Sequence, residues 1–367
     1  MQLAKSKRDQ FLAPLQVVGN IVERRTSIPI LSNIFISKTG GTLSFIASDS
    51  DMQITTWAEL GGGAEEGAIT VQARKLLDIV RNLPEAGEIK VEMTDKGVTV
   101  ASGKSRFKLQ TMPAADFPVM AAGETQSCAV LPQKSLRHLL EMVHFAMACQ
   151  DIRYYLNGVL LRLDGTDLIA VATDGHRLAY VQAKIEKGCE KREFILPRKA
   201  VGELLRQLEA NDDEVHLELA GQQLVCRFAN TELVSKLVDG KFPDYNRVIP
   251  SDHPYSFEID RMVWYQALHR VALVASEKFR GVSCTIGAGV MRISANNAEQ
   301  EEGSEELDIE YTGEAMDIAF NVQYVLDVLS NLKAEKVKVS VRDAAKAILI
   351  AVPERDDFKY VVMPMRA

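Results

Sequence analysis

Apolar and polar residues alternate in three well-separated stretches, Ile89-Lys90-Val91-Glu92-Met93, Val215-His216-Leu217-Glu218-Leu219 and Val337-Lys338-Val339-Ser340-Val341. A period of two predicts half-buried β-strands. Elsewhere the period is helical. Leu136, Leu139, Leu140, Val143 and Met147 share one face of a helix over 133–148, and helices near 8–23 and 260–275 occupy similar places. Further helices are expected after Arg74, Arg198 and Asn321. Turn signals at Thr39-Gly40-Gly41, Asp164-Gly165 and Gly287-Ala288-Gly289 punctuate short strands.

These elements recur in the same order three times. Asn33 to Asp49, Gly158 to Asp174 and Gly281 to Asn297 each span 16 positions, and each span encloses an alternating hairpin. Arg74-Lys75, Arg198-Lys199 and Val322-Gln323 then stand 124 positions apart, ahead of the second helix of each unit. Each unit reads helix, hairpin, helix, then more strands. The expected fold class is α+β: three similar domains, each with two helices packed on antiparallel sheet. Boundaries fall near Ala121-Ala122-Gly123 and Ile249-Pro250-Ser251, giving domains 1–123, 124–249 and 250–367.

Composition narrows the class. The chain has 367 residues, 47% of them apolar, with 43 basic and 50 acidic side chains and a formal charge of −7. That is globular composition, neither disordered nor collagenous. No run of about 18 apolar residues is present to span a membrane, and the N-terminus lacks the apolar core of a signal peptide. A cytoplasmic location without membrane association is the expectation. Five cysteines lie far apart with no CxxC pair, which suits free thiols better than zinc or disulfides. A net acidic chain argues against indiscriminate nucleic-acid binding unless its basic residues are gathered on one face.

Three like domains invite closure by symmetry. Two chains joined head to tail bring together six domains and twelve helices. With helices about 10 Å apart, the circle has a circumference of roughly 120 Å and an opening of roughly 28 Å, enough for a B-form duplex with hydration water. Arg74, Lys75 and Arg81, then Arg198, Lys199 and Arg206, lie on the second helices, while Arg24 and Arg25 are expected to end the first opening helix and Arg137 lies on the second. Acidic residues gather at Glu299-Gln300-Glu301-Glu302 and Glu305-Glu306. A basic lumen on an acidic body holds phosphates without reading bases. The third unit has no basic residue on its second helix before Lys333. A linear three-domain scaffold that binds only proteins has the same sequence period.

Catalytic motifs are missing. Asp174 beside His176 suggests an acid–base pair, but no nucleophile elbow, Walker A loop or dinucleotide-binding glycine pattern occurs. The six histidines are scattered, and Asp49 with Asp51 reads as a turn before it reads as a metal site. The chain is expected to be no enzyme in itself and to need no cofactor or metal.

Several motifs are long enough to carry a resemblance. They are Tyr154-Tyr155-Leu156-Asn157-Gly158, Ala172-Thr173-Asp174-Gly175-His176-Arg177-Leu178, Ser235 to Tyr245, Glu277-Lys278-Phe279-Arg280-Gly281 and the tail Tyr360 to Arg366. Together they resemble the bacterial sliding clamps, the beta subunits of DNA polymerase III, over essentially the whole chain. The resemblance implies a non-catalytic subunit of that holoenzyme and a processivity factor. It implies a head-to-tail homodimeric ring of six domains that encircles double-stranded DNA without regard to sequence. The implied partners are the polymerase III catalytic subunit, the clamp loader, and other polymerases and repair proteins carrying a short clamp-binding peptide.

It also implies site residues. A partner-peptide cleft between the second and third domains carries over to Leu156, Thr173, Gly175, His176, Arg177 and Leu178. It continues through Pro243, Arg247, Val248 and Tyr324 to the tail residues Val361, Met363, Pro364, Met365 and Arg366. An apolar floor with adaptable methionines and a few arginines suits short peptides of several partners. DNA contacts carry over to Arg25, Arg74, Gln150, Tyr154 and Tyr155. The dimer interface carries over to Phe107 and Leu109 on an edge strand of the first domain, facing Leu273 and Val274 of the other chain. Basic Lys75, Lys104 and Arg106 are expected to pair with Glu299, Glu301, Glu302 and the rest of the acidic run.

Overall fold

The computed structural model describes every residue except 24–25, 62–64, 95–96 and 366–367, and at 127 and 187–189 it describes the backbone alone. The first repeat contributes β1 (Gln2–Lys7), α1 (Arg8–Gly19), β2 (Asn33–Thr39), β3 (Thr42–Ser48), β4 (Met52–Glu59), β5 (Gly67–Gln72), α2 (Ala73–Asn82), β6 (Glu88–Thr94), β7 (Gly97–Ser102), β8 (Ser105–Leu109) and β9 (Thr111–Met112). The second contributes β10 (Gln126–Pro132), α3 (Gln133–Val143), β11 (Gly158–Thr173), β12 (Arg177–Pro197), α4 (Arg198–Gln207), β13 (Glu214–Ala220), β14 (Gln223–Phe228) and β15 (Thr231–Lys236). The third contributes β16 (Tyr255–Asp260), α5 (Arg261–Val271), β17 (Gly281–Gly287), β18 (Val290–Asn296), β19 (Glu302–Asp308), β20 (Met316–Asn321), α6 (Val322–Asn331), β21 (Lys336–Val341), β22 (Ile348–Ala351) and β23 (Phe358–Val362). The architecture is α+β, as the periodicity predicts.

The alternating stretches are strands β6, β13 and β21. Ile89 and Val91, Val215 and Leu217, and Val337, Val339 and Val341 are all buried. Side-chain caps start the later helices: Asp260 accepts the Val263 N–H at 2.8 Å and Asn321 accepts that of Gln323 at 3.0 Å. The opening helices are shorter than expected. α3 and α5 give way to 3₁₀ turns at His144–Ala146 and Ala272–Val274. An apolar spacing of three or four does not distinguish the last α turn from a 3₁₀ turn. α1 stops at Gly19, where a β-carbon would come within 2.4 Å of the Leu77 side chain, so glycine lets α2 approach closely. Arg24 and Arg25, expected at that helix's end, lie outside the described residues.

The chain forms two compact units. Met1–Leu136 with Gly202–Leu237 make the first, and Arg137–Val201 with Val238–Ala367 make the second. The middle repeat supplies strands to both. In the first unit, a nine-stranded sheet runs β10-β13-β14-β15-β4-β3-β2-β5-β9, beside a four-stranded sheet β1-β6-β7-β8. In the second, a six-stranded sheet runs β11-β12-β23-β22-β21-β16, beside β19-β18-β17-β20. All pairings are antiparallel. The joins between repeats are β15 on β4, with Leu233 opposite Ile54, and β23 on β12, with Tyr360 opposite Ala179. The last strand of one repeat therefore adds to an inner strand of the repeat before it. Strand β8, the counterpart of β15 and β23, and strand β19, the counterpart of β4 and β12, remain at sheet edges.

Candidate functional site

The second unit carries an apolar cavity of about 250 Å³. Its wall begins with the turn between β11 and β12. Thr173 Oγ1 donates to the Arg177 carbonyl at 2.6 Å and accepts the Gly175 N–H at 3.1 Å. Asp174 Oδ1 accepts the N–H groups of His176 and Arg177 at 2.9 and 3.1 Å. Gly175 has φ +90°, and a β-carbon there would lie 3.1 Å from the Arg153 guanidinium. The positive φ favours glycine, and the absence of a β-carbon leaves the Arg153 guanidinium room beside the turn.

Arg177 is the best-held charge in the cleft. Its Nε meets Asp174 Oδ2 at 3.0 Å, Nη1 meets Asp327 Oδ2 and Nη2 donates to the Phe145 carbonyl, both at 2.5 Å. The guanidinium lies 4.7 Å from the Tyr324 ring centroid. Burial pulls its pKa down, but Tyr360, Asp327 and Asp174 more than offset this and hold it above the ordinary arginine value. Burial raises the Tyr324 hydroxyl pKa, with Asp174 adding to it. The tail closes the cleft's edge: the Met363 N–H bonds the His176 carbonyl at 2.9 Å and the Met365 N–H bonds that of Ala319 at 2.7 Å.

Leu156, Thr173, Gly175, Arg177, Leu178, Pro243, Val248, Val361 and Met363 line the cavity. His176 stacks on Tyr324 with ring centroids 6.4 Å apart, beside Arg177. Arg247 is exposed and paired with Asp244 at 3.1 Å, and the Met365 side chain lies beside Gly281, with Pro364 between the two bonded tail residues Met363 and Met365. Arg366 lies outside the described residues. Three lining residues escaped sequence reasoning: Arg153, Phe242 and Tyr245. A signal for the last two existed in the aromatics flanking Pro243-Asp244, a turn-forming pair.

Tyr155, expected at DNA, also lines this cavity, half-buried, while Tyr154 beside it is 58% exposed. Gln150, in the same loop, is exposed with φ +56°. Asn157 pins the loop by accepting the Asp151 N–H at 3.0 Å and donating to its carbonyl at 2.9 Å. A side-chain hydrogen bond from Arg153 holds Asp151 down to about 2. Arg74, Lys75 and Arg81 stand exposed on α2 with no ion pair among the described residues. The other basic residues counted for a lumen are engaged: Arg198 bonds the carbonyls of Met147 and Ala148, Arg206 pairs with Glu203, and Arg137 with Glu141. Arg25 lies outside the described residues.

The two free edges differ in charge. β8 presents Arg106 and Lys108, with Lys104 in the turn before it; β19 presents Glu302, Glu306 and Asp308, after Glu299 and Glu301 in the preceding turn. Glu305 is already paired with Arg270 of α5. Phe107 is 37% exposed and Leu273 is 76% exposed, whereas Val274 is half-buried against Gly303. Leu109, expected at the dimer interface beside Phe107, differs from it in exposure. It is buried in its own unit, because the register sets it opposite Val98 on the core-facing side of the sheet.

Asp174 spends one oxygen on the turn and the other on Arg177, so it is no partner for His176. Asp49 accepts the N–H groups of Asp51 and Met52 in the same way. No group of three or more metal-ligating side chains occurs among the described residues. Burial pushes the Cys284 thiol up to about 12 and raises that of Cys226 as well, so both are inert. Among the described residues no helix is long and apolar enough to cross a membrane.

Comparison with known proteins agrees across the whole chain. Residues 2–121, 130–244 and 246–366 match the N-terminal, central and C-terminal domains of the DNA polymerase III beta subunit. Beta sliding clamps of Salmonella typhimurium and Escherichia coli K12 are 41% identical over 360 residues, and that of Vibrio cholerae is 42% identical, each covering 98% of both chains. A crystal structure of the Pseudomonas aeruginosa DNA polymerase sliding clamp superposes with a TM-score of 0.96 at 39% identity, covering 100% of both chains. Caulobacter crescentus pol III beta does so at 0.94 and 36%, with the same coverage. With every repeat matched in order, this chain belongs to the DNA polymerase III beta subunit family, the non-catalytic beta sliding clamps of DNA replication.

Proposed function

We propose that two copies of this chain close head to tail into a ring around duplex DNA, with strand β8 of one chain pairing antiparallel with β19 of the other. The observation that carries this is the repetition of one join. β15 adds to β4 and β23 adds to β12, and the remaining members of that series are β8 and β19. Opposite charge on the two edges fixes their direction and disfavours pairing of like edges. Phe107 and Leu273 supply exposed apolar surface at the seam. The same correspondence adds Ile79, half-exposed on α2. It matches Glu203, which is buried on α4 beside Gln207, whose amide bonds the Val17 carbonyl of α1.

In this reading the domains are 1–123, 124–249 and 250–367, and each ring holds six. Arg74, Lys75 and Arg81 contact phosphates, with Gln150 and Tyr154 at an exposed strand end, so binding to DNA is weak, salt-sensitive and sequence-blind. The apolar cleft takes short peptide segments of the replicative polymerase, the clamp loader and repair proteins. The protein works in the cytoplasm. A topological assay tests the reading. Protein loaded onto a nicked circular plasmid should stay bound through a high-salt wash and fall off when the circle is cut. Equal loss from circle and linear DNA would favour a scaffold that never surrounds the duplex.

A further inference from the structure

The cleft has a second layer that no expected site residue accounts for. Tyr245, in its wall, sits on a 3₁₀ turn capped by Asp244, which accepts the Asn246 N–H at 3.2 Å. The N–H groups of Val248 and Ile249 both bond the Tyr245 carbonyl, at 3.0 and 3.1 Å. The backbone is thus fixed, and the phenol is held from behind. Arg162 of β11 donates through Nη1 to the Tyr245 hydroxyl at 3.3 Å, while its Nη2 is anchored on Asp164 at 2.8 Å. Tyr180 of β12 packs its ring 5.9 Å from that of Tyr245, tilted by 42°. Tyr180 is held in turn: its hydroxyl donates to Gln182 at 2.8 Å, and the Lys359 ammonium stands 5.7 Å over its ring.

The strand register explains why these groups converge. Tyr180 lies two positions beyond Leu178, which lines the cavity, so both point to the same face of β12. Leu160, two positions before Arg162, belongs with Val171, Leu178, Phe242, Tyr245 and Val361 to one apolar cluster beneath the cavity. Arg162 is therefore a cation placed at the margin of an apolar cluster. Its Nε is buried and has no hydrogen-bond partner. A buried orphan donor is costly, and such an arginine is tolerated where its remaining donors do a positional task.

The geometry points to Arg162 as a positioning residue of the cleft, which, with Tyr180 behind the ring, sets where the Tyr245 phenol stands and so the depth of pocket offered to an apolar anchor side chain of a partner peptide. This rests on the peptide-binding reading of the cleft. Arg162 does not line the cavity and makes no contact with the peptide; it acts through Tyr245. Loss of the hydrogen bond frees the ring to lean into the pocket, which penalises large anchors more than small ones.

Fluorescence anisotropy with three labelled nine-residue peptides tests this, the peptides differing only in one anchor residue, Ala, Leu or Phe. The unmodified chain should prefer Leu and Phe over Ala; no preference would remove the peptide-binding reading itself, before Arg162 is addressed. Given that preference, Arg162→Leu and Tyr245→Phe should each weaken the Phe peptide about three- to tenfold, the range set by one hydrogen bond, and leave the Ala peptide unchanged. The double variant should be no weaker than either single one, since both remove the same contact. Arg162→Lys, which keeps a donor, should recover part of the loss. Unchanged selectivity in Tyr245→Phe, or losses that add in the double variant, would overturn the assignment. Tyr245→Phe keeps the ring and its packing, so it remains informative if Arg162→Leu proves too unstable to measure.

Discussion

Removing the Arg177 side chain is the sharpest test of how the cleft is held. In Arg177→Ala the carboxylates of Asp174 and Asp327 lose their cation, and the Phe145 carbonyl loses its donor. Arg177 has only 10% of its side chain exposed, and Asp174 and Asp327 keep 18% and 25%. Breaking a buried pair from one side costs about 3–5 kcal/mol. Water reaches both carboxylates in part, so the low end, about 3 kcal/mol, is expected. For a cooperative unit of this size, each kcal/mol moves the midpoint by about 2–4 °C, so calorimetry should show a fall of about 6–12 °C. Peptide affinity should fall with it, because the Tyr324 ring loses the guanidinium over its face. Arg177→Lys should recover only part of either loss, since an ammonium cannot reach three acceptors in one plane. Asp327→Asn, which keeps an acceptor, should cost about 1 kcal/mol. An Arg177→Ala protein with an unshifted transition and undiminished peptide affinity would refute the account. A destabilised protein with intact affinity would leave Arg177 a structural residue and no part of the docking surface.

Other outcomes follow from the same geometry. Leu273→Ala with Val274→Ala, or Phe107→Ala alone, should shift light-scattering mass from a dimer toward the 40.6 kDa monomer, because the β8 and β19 edges lose their apolar contacts; an unchanged dimer at low micromolar concentration counts against the proposed seam. Deleting Met363 to Ala367 should abolish peptide binding and leave the dimer intact, since Met363 and Met365 bond His176 and Ala319 of their own unit. Gln53→Ala should cost about 1–3 kcal/mol in urea unfolding by orphaning both backbone groups of Met120, to which the buried Gln53 amide bonds at 2.7 and 3.3 Å. His138 titrates below its ordinary value, chiefly through partial burial and then through Arg355, against the opposing pull of Glu141 and Asp357. Its unfolded form therefore binds a proton first, so stability present above pH 6.5 is lost as pH falls through that value. His138→Gln should flatten the fall in melting temperature between pH 7.5 and 5.5, and an identical slope would assign the acid sensitivity elsewhere.

The threefold repeat was legible because it is written in turn chemistry. Asp49 and Asp174, the landmarks that open each later half-unit, are the residues whose carboxylates accept two successive N–H groups, and the Asn297 amide oxygen accepts those of Glu299 and Glu301. Such positions are marked by residue type. The joins between repeats were not legible. Which edge adds to which depends on how whole sheets meet, and β15 or β23 reads like any other alternating strand. The division of the middle repeat between two compact units is a consequence of those joins. The engagement of the basic helix residues was legible in part: Glu203 and Glu141 stand three and four positions from Arg206 and Arg137 on the same helices, whereas the Met147 and Ala148 carbonyls that Arg198 bonds lie about fifty residues away. Tyr155 was read only as a DNA contact, and its half-buried place in the cavity wall, set by the loop after α3, was not legible.

The repeat also sets the cavity of the second unit beside its counterpart position in the first. The first unit builds the same turn with the same bonds. Ser48 Oγ donates to the Met52 carbonyl as Thr173 does to that of Arg177, and Ser50, with φ +79°, stands where Gly175 has φ +90°. Phe117-Pro118 matches Phe242-Pro243, and Met120 matches Tyr245. The difference lies one residue along the strand. Where the second unit has Leu178, the first has Gln53, whose amide bonds both the N–H and the carbonyl of Met120 and draws that segment onto the sheet. Gln53 is 2% exposed. Leu178 makes no such bond, Tyr245 is instead held by Arg162 from behind, and the gap between them is the cavity. One scaffold thus holds its linker in two ways, through the Met120 backbone from Gln53 in the first unit and through the Tyr245 hydroxyl from Arg162 in the second.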